Sequence, residues 1–141
     1  MYVKMKMFSE AIPRRAHSGD AGLDLCAREP KRLEHDEVAR IPLGVAVAIP
    51  EGHMGLLVPR SSLLERTGLY GQTGIIDAGY RGELQALVKN LSGKRYTVCE
   101  GDRIYQLILV PITVPEGVTF GEDLGSTDRG DGGFGSTGGV A

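Results

Sequence analysis

Glycine or proline interrupts this chain at short intervals, and that punctuation leaves little room for anything but strands. The apolar runs Leu23 to Ala27, Val45 to Ile49 and Met54 to Val58 are bounded by Gly22, Gly44, the Pro50-Glu51-Gly52 group and Pro59. Leu84 to Val88 alternates loosely and stops at Asn90-Leu91-Ser92-Gly93, a turn signal. Tyr96 to Cys99 precedes Glu100-Gly101-Asp102, and Ile104 to Pro111 is the longest apolar run, rich in β-branched residues. Tyr2 to Met7 alternates apolar and charged residues, as a half-buried strand does. Only Ser61 to Arg66 reads as helix, for about two turns. Strands at roughly 8–12-residue spacing predict an all-β fold with one short helix, a sandwich, a jelly roll or a small barrel. The 21 glycines in 141 residues fit a chain made mostly of turns and short strands. Apolar density falls after Pro115. The expected organisation is therefore a core over 1–115 and a flexible, glycine-rich C-terminal arm over 116–141.

Composition excludes several classes. A net charge of −2 gives no basic footprint for nucleic acid, although a few placed arginines suffice for a nucleotide. Cys26 and Cys99 are the only cysteines, so neither a disulfide framework nor a CxxC metal pattern exists, and a reducing cytoplasm fits. Met1 to Glu10 lacks the apolar core of a signal peptide, and no stretch reaches membrane-spanning length. His17, His35 and His53 lack metal-ligand spacing. The sequence has no GxxxxGK[ST] loop, no GxGxxG opening a βαβ unit and no nucleophile elbow.

Five segments carry chemistry-bearing residues. Arg129 to Gly139 is glycine-rich yet includes Arg129, Phe134, Gly135, Ser136 and Thr137. A guanidinium fork, a stacking face and closely approaching backbone N–H groups suit a ligand with a flat ring and anionic oxygens. The alternative is an inert Gly/Ser tail. Gly74 to Glu83 reads as a tightly turned hairpin or loop, in which Asp77 emerges from the apolar Ile75-Ile76 wall and can hold a water. An Asx turn is the commoner fate of Asp beside Gly. Pro59-Arg60-Ser61-Ser62 places an arginine beside a helix start, where Ser61 or Ser62 is either an anion ligand or an ordinary N-cap. Asp24 sits inside the apolar strand Leu23-Asp24-Leu25 and either faces solvent or serves a cation such as Mg2+. Gln106, polar in an apolar strand, needs partners; a phosphate oxygen or a backbone carbonyl would serve.

In this order, SGDAGLDL, PRSSLLERTGL, GIIDAGYRGEL, GDRIYQLIL and RGDGGFGSTGG resemble the five motifs of the trimeric dUTP pyrophosphatases, over about residues 18–139. Many members carry Gly where Ser62 stands. The resemblance implies a β jelly-roll homotrimer with three sites between subunits, each closed by a neighbour's arm. It implies Mg2+-dependent hydrolysis of dUTP to dUMP and pyrophosphate, which lowers dUTP and supplies dUMP for thymidylate synthesis. The setting implied is cytoplasmic, or host cytoplasm for a viral source, with no nucleic-acid or membrane partner. By residue, Asp77 is the expected general base and Asp24 the expected magnesium partner, through water. Arg60, Ser61, Ser62 and Gln106 would grip phosphates, and the backbone of Gly74, Ile75 and Ile76 would read uracil. Tyr80 would pack beneath the deoxyribose. Phe134 would stack on the base, and Arg129, Gly135, Ser136 and Thr137 would close the arm over the phosphates. Two other readings remain at this point: a deoxycytidine triphosphate deaminase, which shares parts of the middle motifs, and a non-catalytic nucleotide-binding module.

Overall fold

The structure, a computed structural model, describes residues 1–121 and 123–133. In chain order the first strands are β1 (Lys4–Met7), β2 (Leu23–Cys26), β3 (Lys31–Leu33), β4 (Val38–Pro42), β5 (Val45–Ala48) and β6 (His53–Pro59). Then come helix α1 (Leu63–Thr67) and strands β7 (Leu69–Gly71), β8 (Gly74–Ile76), β9 (Gln85–Asn90), β10 (Tyr96–Val98) and β11 (Arg103–Pro111). All pairings are antiparallel. They form a four-stranded sheet β2-β11-β6-β8, a three-stranded sheet β4-β9-β7, and the pairs β1-β5 and β10-β3. Among the described residues these sheets form no closed barrel; the architecture is jelly-roll-like, one of the forms the turn spacing allows and the one the resemblance implies.

The sheets share one core. Inward residues such as Leu25, Ile41, Val47, Leu69, Val88, Tyr105 and Leu107 belong to a single buried cluster. β9 shows how alternation sorts the faces: Ala86, Val88 and Asn90 are buried while Gln85 is exposed. Asn90 is tolerated inside because its amide is satisfied. Its Nδ2 reaches the carbonyls of Leu33, Glu34 and Lys94 at 3.2, 3.0 and 2.7 Å, and its Oδ1 accepts from the N–H and hydroxyl of Ser92. The hydroxyl of the fully buried Tyr105 donates between the carbonyls of Gln72 and Leu87, at 2.8 and 2.9 Å. It thereby ties the β7–β8 connection to β9, and burial pushes its phenol well above the ordinary tyrosine range.

Besides β8, three strands escape a reading of apolar runs. β3 is Lys-Arg-Leu with only Leu33 buried. β4 buries Ala39 and Ile41 between exposed Val38 and Arg40. β7 is three residues long. The helix starts two residues later than the sequence suggests, at Leu63, with Ser62 as N-cap. After β11 the Ile112 N–H bonds the Gly52 carbonyl at 2.8 Å; beyond it residues 113–121 and 123–131 are exposed. Among the described residues no helix is long and apolar enough to cross a membrane.

Candidate active site

What reads as one loop in the sequence is a short strand followed by a tight turn. Gly74, Ile75 and Ile76 of β8 lie opposite Leu57, Leu56 and Gly55 of β6. β8 is the last strand of its sheet, so among the described residues its outer edge has backbone N–H and C=O groups without strand partners. Asp77 follows it and is exposed. The turn closes when Tyr80 N–H donates to the Asp77 carbonyl at 3.0 Å, and Arg81 Nη1 holds the carbonyls of Ala78 and Tyr80 at 2.6 and 2.8 Å. The result is a cleft of about 340 Å³ lined by Gly74, Ile75, Ile76, Asp77 and Tyr80, together with Arg40, Gln72 and Glu83.

The expected phosphate-binding residues gather elsewhere, on β2, β6 and β11. Strand register sets Gln106 opposite both Asp24 and Val58. Gln106 also packs on Gly22, where a Cβ would collide with its side-chain amide oxygen; glycine is needed there for close approach. Arg60 leaves the end of β6 with its N–H on the Ile104 carbonyl at 3.0 Å. Its Nε lies 3.1 Å from Asp24 Oδ1, and Arg103 Nη1 lies 3.6 Å from Asp24 Oδ2. The Asp24 side chain is only 11% exposed. Two guanidiniums of the chain itself thus face this buried carboxylate, while among the described residues its Oδ2 has no hydrogen-bond partner. Among the described residues the Ser62 hydroxyl makes no cap bond, and Ser61 is exposed. Arg60, Ser62, Arg66 and Arg103 line a second cleft of about 440 Å³. Burial pushes the neighbouring Cys26 thiol up, opposed in part by the Arg103 charge. Sequence reasoning passed over Arg103; the available signal was an arginine two residues after Gly101, at the start of the longest apolar strand.

The expected site residues therefore fall into two groups. Asp77, Tyr80 and the β8 backbone share one cleft, Arg60 and Ser62 share another, and Asp24 and Gln106 sit beside the second group. Arg129 lies in the exposed tail with its Nε on the Gly132 carbonyl at 2.9 Å. Phe134, Gly135, Ser136 and Thr137 lie outside the described residues.

A family model described as dUTPase matches residues 9–138, nearly the whole chain. The chain belongs to the dUTPase family. It is an enzyme of that family, a hydrolase of nucleotide metabolism. The deoxyuridine 5'-triphosphate nucleotidohydrolase of Mycolicibacterium gilvum is 47% identical over 137 residues, covering 92% of this chain and 89% of the relative. The dUTPase of Staphylococcus bacteriophage 80alpha, solved with dUPNHPP, superposes with a TM-score of 0.90 at 36% identity, covering 97% of this chain and 98% of the other. A point mutant of the dUTPase from phage phi11 of S. aureus, whose structure addresses coordination of a structural Mg(II) ion, gives 0.83 at 34% identity over 89% of this chain and 100% of the other.

Proposed function

We propose that this enzyme hydrolyses dUTP to dUMP and pyrophosphate at sites completed between the subunits of a homotrimer, in the cytoplasm of its cell or host. The observation that carries this reading is the separation of the two groups. Within one chain, an exposed carboxylate beside a free strand edge lines one cleft, and an arginine-serine cluster lines another. Among the described residues the Asp77 cleft lacks the arginine-serine cluster and the Arg60 cleft lacks Asp77; a neighbouring copy supplies the other half.

Asp77 holds a water in line with the α-phosphorus. A carboxylate is a weak base at neutral pH, so orientation of that water contributes more than proton abstraction. Arg60 binds Asp24 through Nε, which leaves its terminal nitrogens for phosphate oxygens. Ser61, Ser62 and Gln106 add donors beside it. Among the described residues no group of three His, Cys, Asp or Glu could cage a metal. Such a donor set fits a magnesium ion that arrives hydrated on the triphosphate. Asp24 Oδ2, buried with no hydrogen-bond partner, is the acceptor that would face a water of its shell. Bound there, the ion would stabilise charge on the transferred phosphoryl and the leaving pyrophosphate.

The free edge of β8 suits base reading. Backbone donors and acceptors at Gly74 to Ile76 pair with the uracil edge, and a mismatched cytosine would leave a group unpaired in a dry site. Tyr80 underlies the deoxyribose and excludes a 2′-hydroxyl. The arm then closes, with Phe134 stacked on the base and Arg129, Gly135, Ser136 and Thr137 on the phosphates. The analogue complex of the phage 80alpha dUTPase supports a nucleotide of this class.

Pyrophosphate release measured with dUTP, dCTP, dTTP and UTP tests the substrate: only dUTP should turn over appreciably. Ammonia release from dCTP, or no release from any of the four, overturns the reading. Asp77→Asn should keep nucleotide affinity and lose on the order of 10²- to 10⁴-fold in kcat. Wild-type turnover in that variant removes Asp77 as the base.

A further inference from the structure

Glu83 lines the Asp77 cleft, and the chemistry above gives it no task. Its side chain is 17% exposed and both oxygens are engaged. Oε1 accepts the N–H of Gly44, 39 residues away, at 2.9 Å, and Oε2 pairs with Arg28 Nη1 at 3.2 Å. Its main-chain carbonyl accepts the Tyr80 hydroxyl at 3.2 Å. That bond requires the Tyr80 ring to lie over Gly82, where a Cβ would collide with the ring and its hydroxyl. The next residue, Leu84, is buried and locked on both sides: its N–H donates to Val45 at 2.8 Å and its carbonyl accepts from Leu43 at 2.9 Å. The segment 77–83 is thus tied to β6 through β8 at its front, and to the β4–β5 turn through Glu83 and Leu84 at its rear.

We propose that Glu83 is a positioning residue for the hydrolytic reaction, anchoring the Asp77–Glu83 turn on Gly44 and Arg28 so that the Asp77 carboxylate and the Tyr80 ring stay aimed into the cleft. The proposal rests on the reading of Asp77 as base. Asp77 is exposed and, among the described residues, held only by its backbone turn, so its aim depends on what fixes that turn. Displacement of a catalytic group by about 1 Å costs on the order of 10²-fold in rate. A residue kept for stability alone would lower the melting temperature and leave turnover of the folded enzyme intact.

The test is steady-state kinetics with dUTP and UTP, together with thermal melts, on Glu83→Ala, Glu83→Gln and Arg28→Met, with Asp77→Asn as reference. Glu83→Ala loses both anchors, and its kcat should fall on the order of ten- to a hundredfold while KM for dUTP moves less than about threefold. Its preference for dUTP over UTP should narrow, because Tyr80 shifts with the turn. Glu83→Gln keeps an acceptor for Gly44, and Arg28→Met keeps Glu83 on Gly44, so both should lie between wild type and Glu83→Ala. Unchanged kcat in the folded variants, with loss confined to melting temperature, overturns the proposal. If Glu83→Ala does not fold, the other two variants decide by the same criterion. Full turnover in Asp77→Asn sinks the underlying mechanism; an inactive Asp77→Asn beside fully active Glu83 variants sinks the role of Glu83 alone.

Discussion

Asp24 faces two guanidiniums with one carboxylate, and removing it leaves Arg60 and Arg103 as neighbouring like charges. Breaking a buried pair costs about 3–5 kcal/mol, but these guanidiniums are 33% and 42% exposed, which reduces the expected loss to about 1–3 kcal/mol for Asp24→Ala. Chemical denaturation should show that loss, and KM for dUTP should rise because Arg60 loses its aim. Tyr105 gives a pH signature. Burial holds its phenol protonated in the fold, whereas an unfolded tyrosine titrates near pH ~10. Its contribution is therefore complete below about pH 10 and is lost as the pH rises further. Urea denaturation across the alkaline range should show stability falling there, and Tyr105→Phe should flatten that slope while costing about 1–2 kcal/mol at neutral pH through the carbonyls of Gln72 and Leu87. Asp24 and Gln106 were conspicuous in the sequence as polar residues inside apolar strands. Their partners were not, because Arg60, Arg103 and Gly22 reach them only through sheet register, which is a property of the folded chain.

The long apolar strands β6, β9 and β11 were legible because each alternates or runs apolar between clear turn signals. β3 and β4 were not, since charged residues occupy their outward positions and dilute the pattern. β8 was hidden by its flanking glycines; it is a strand because β6 offers it an edge, a long-range pairing that outweighs local propensity. Asn90 read as part of a turn signal, yet it is the buried hub that fastens the β9–β10 turn to β3 and its exit. Asn90→Ala should cost about 1–3 kcal/mol, since one buried and two partly buried carbonyls lose their donor together. A thermal melt should show the loss, and hydrogen exchange should show lost protection at Ser92, whose N–H bonds the Asn90 carbonyl oxygen of the side chain.

At the scale of the whole molecule, the family was legible from five ordered motifs, whereas the distribution of those motifs over two clefts was not. Spacing along a chain says nothing about which subunit completes a site. The separate clefts give that question a physical form: Asp77 lines one and Arg60 the other. Asp77→Asn and Arg60→Ala should each be nearly inactive, and mixing them after unfolding and co-refolding tests it most directly. If each site takes Asp77 from one subunit and Arg60 from the next, random assortment restores about a quarter of the sites, and dUTP turnover returns in the mixture. Mixed assemblies that form and remain as inactive as either parent would contradict a site shared between subunits.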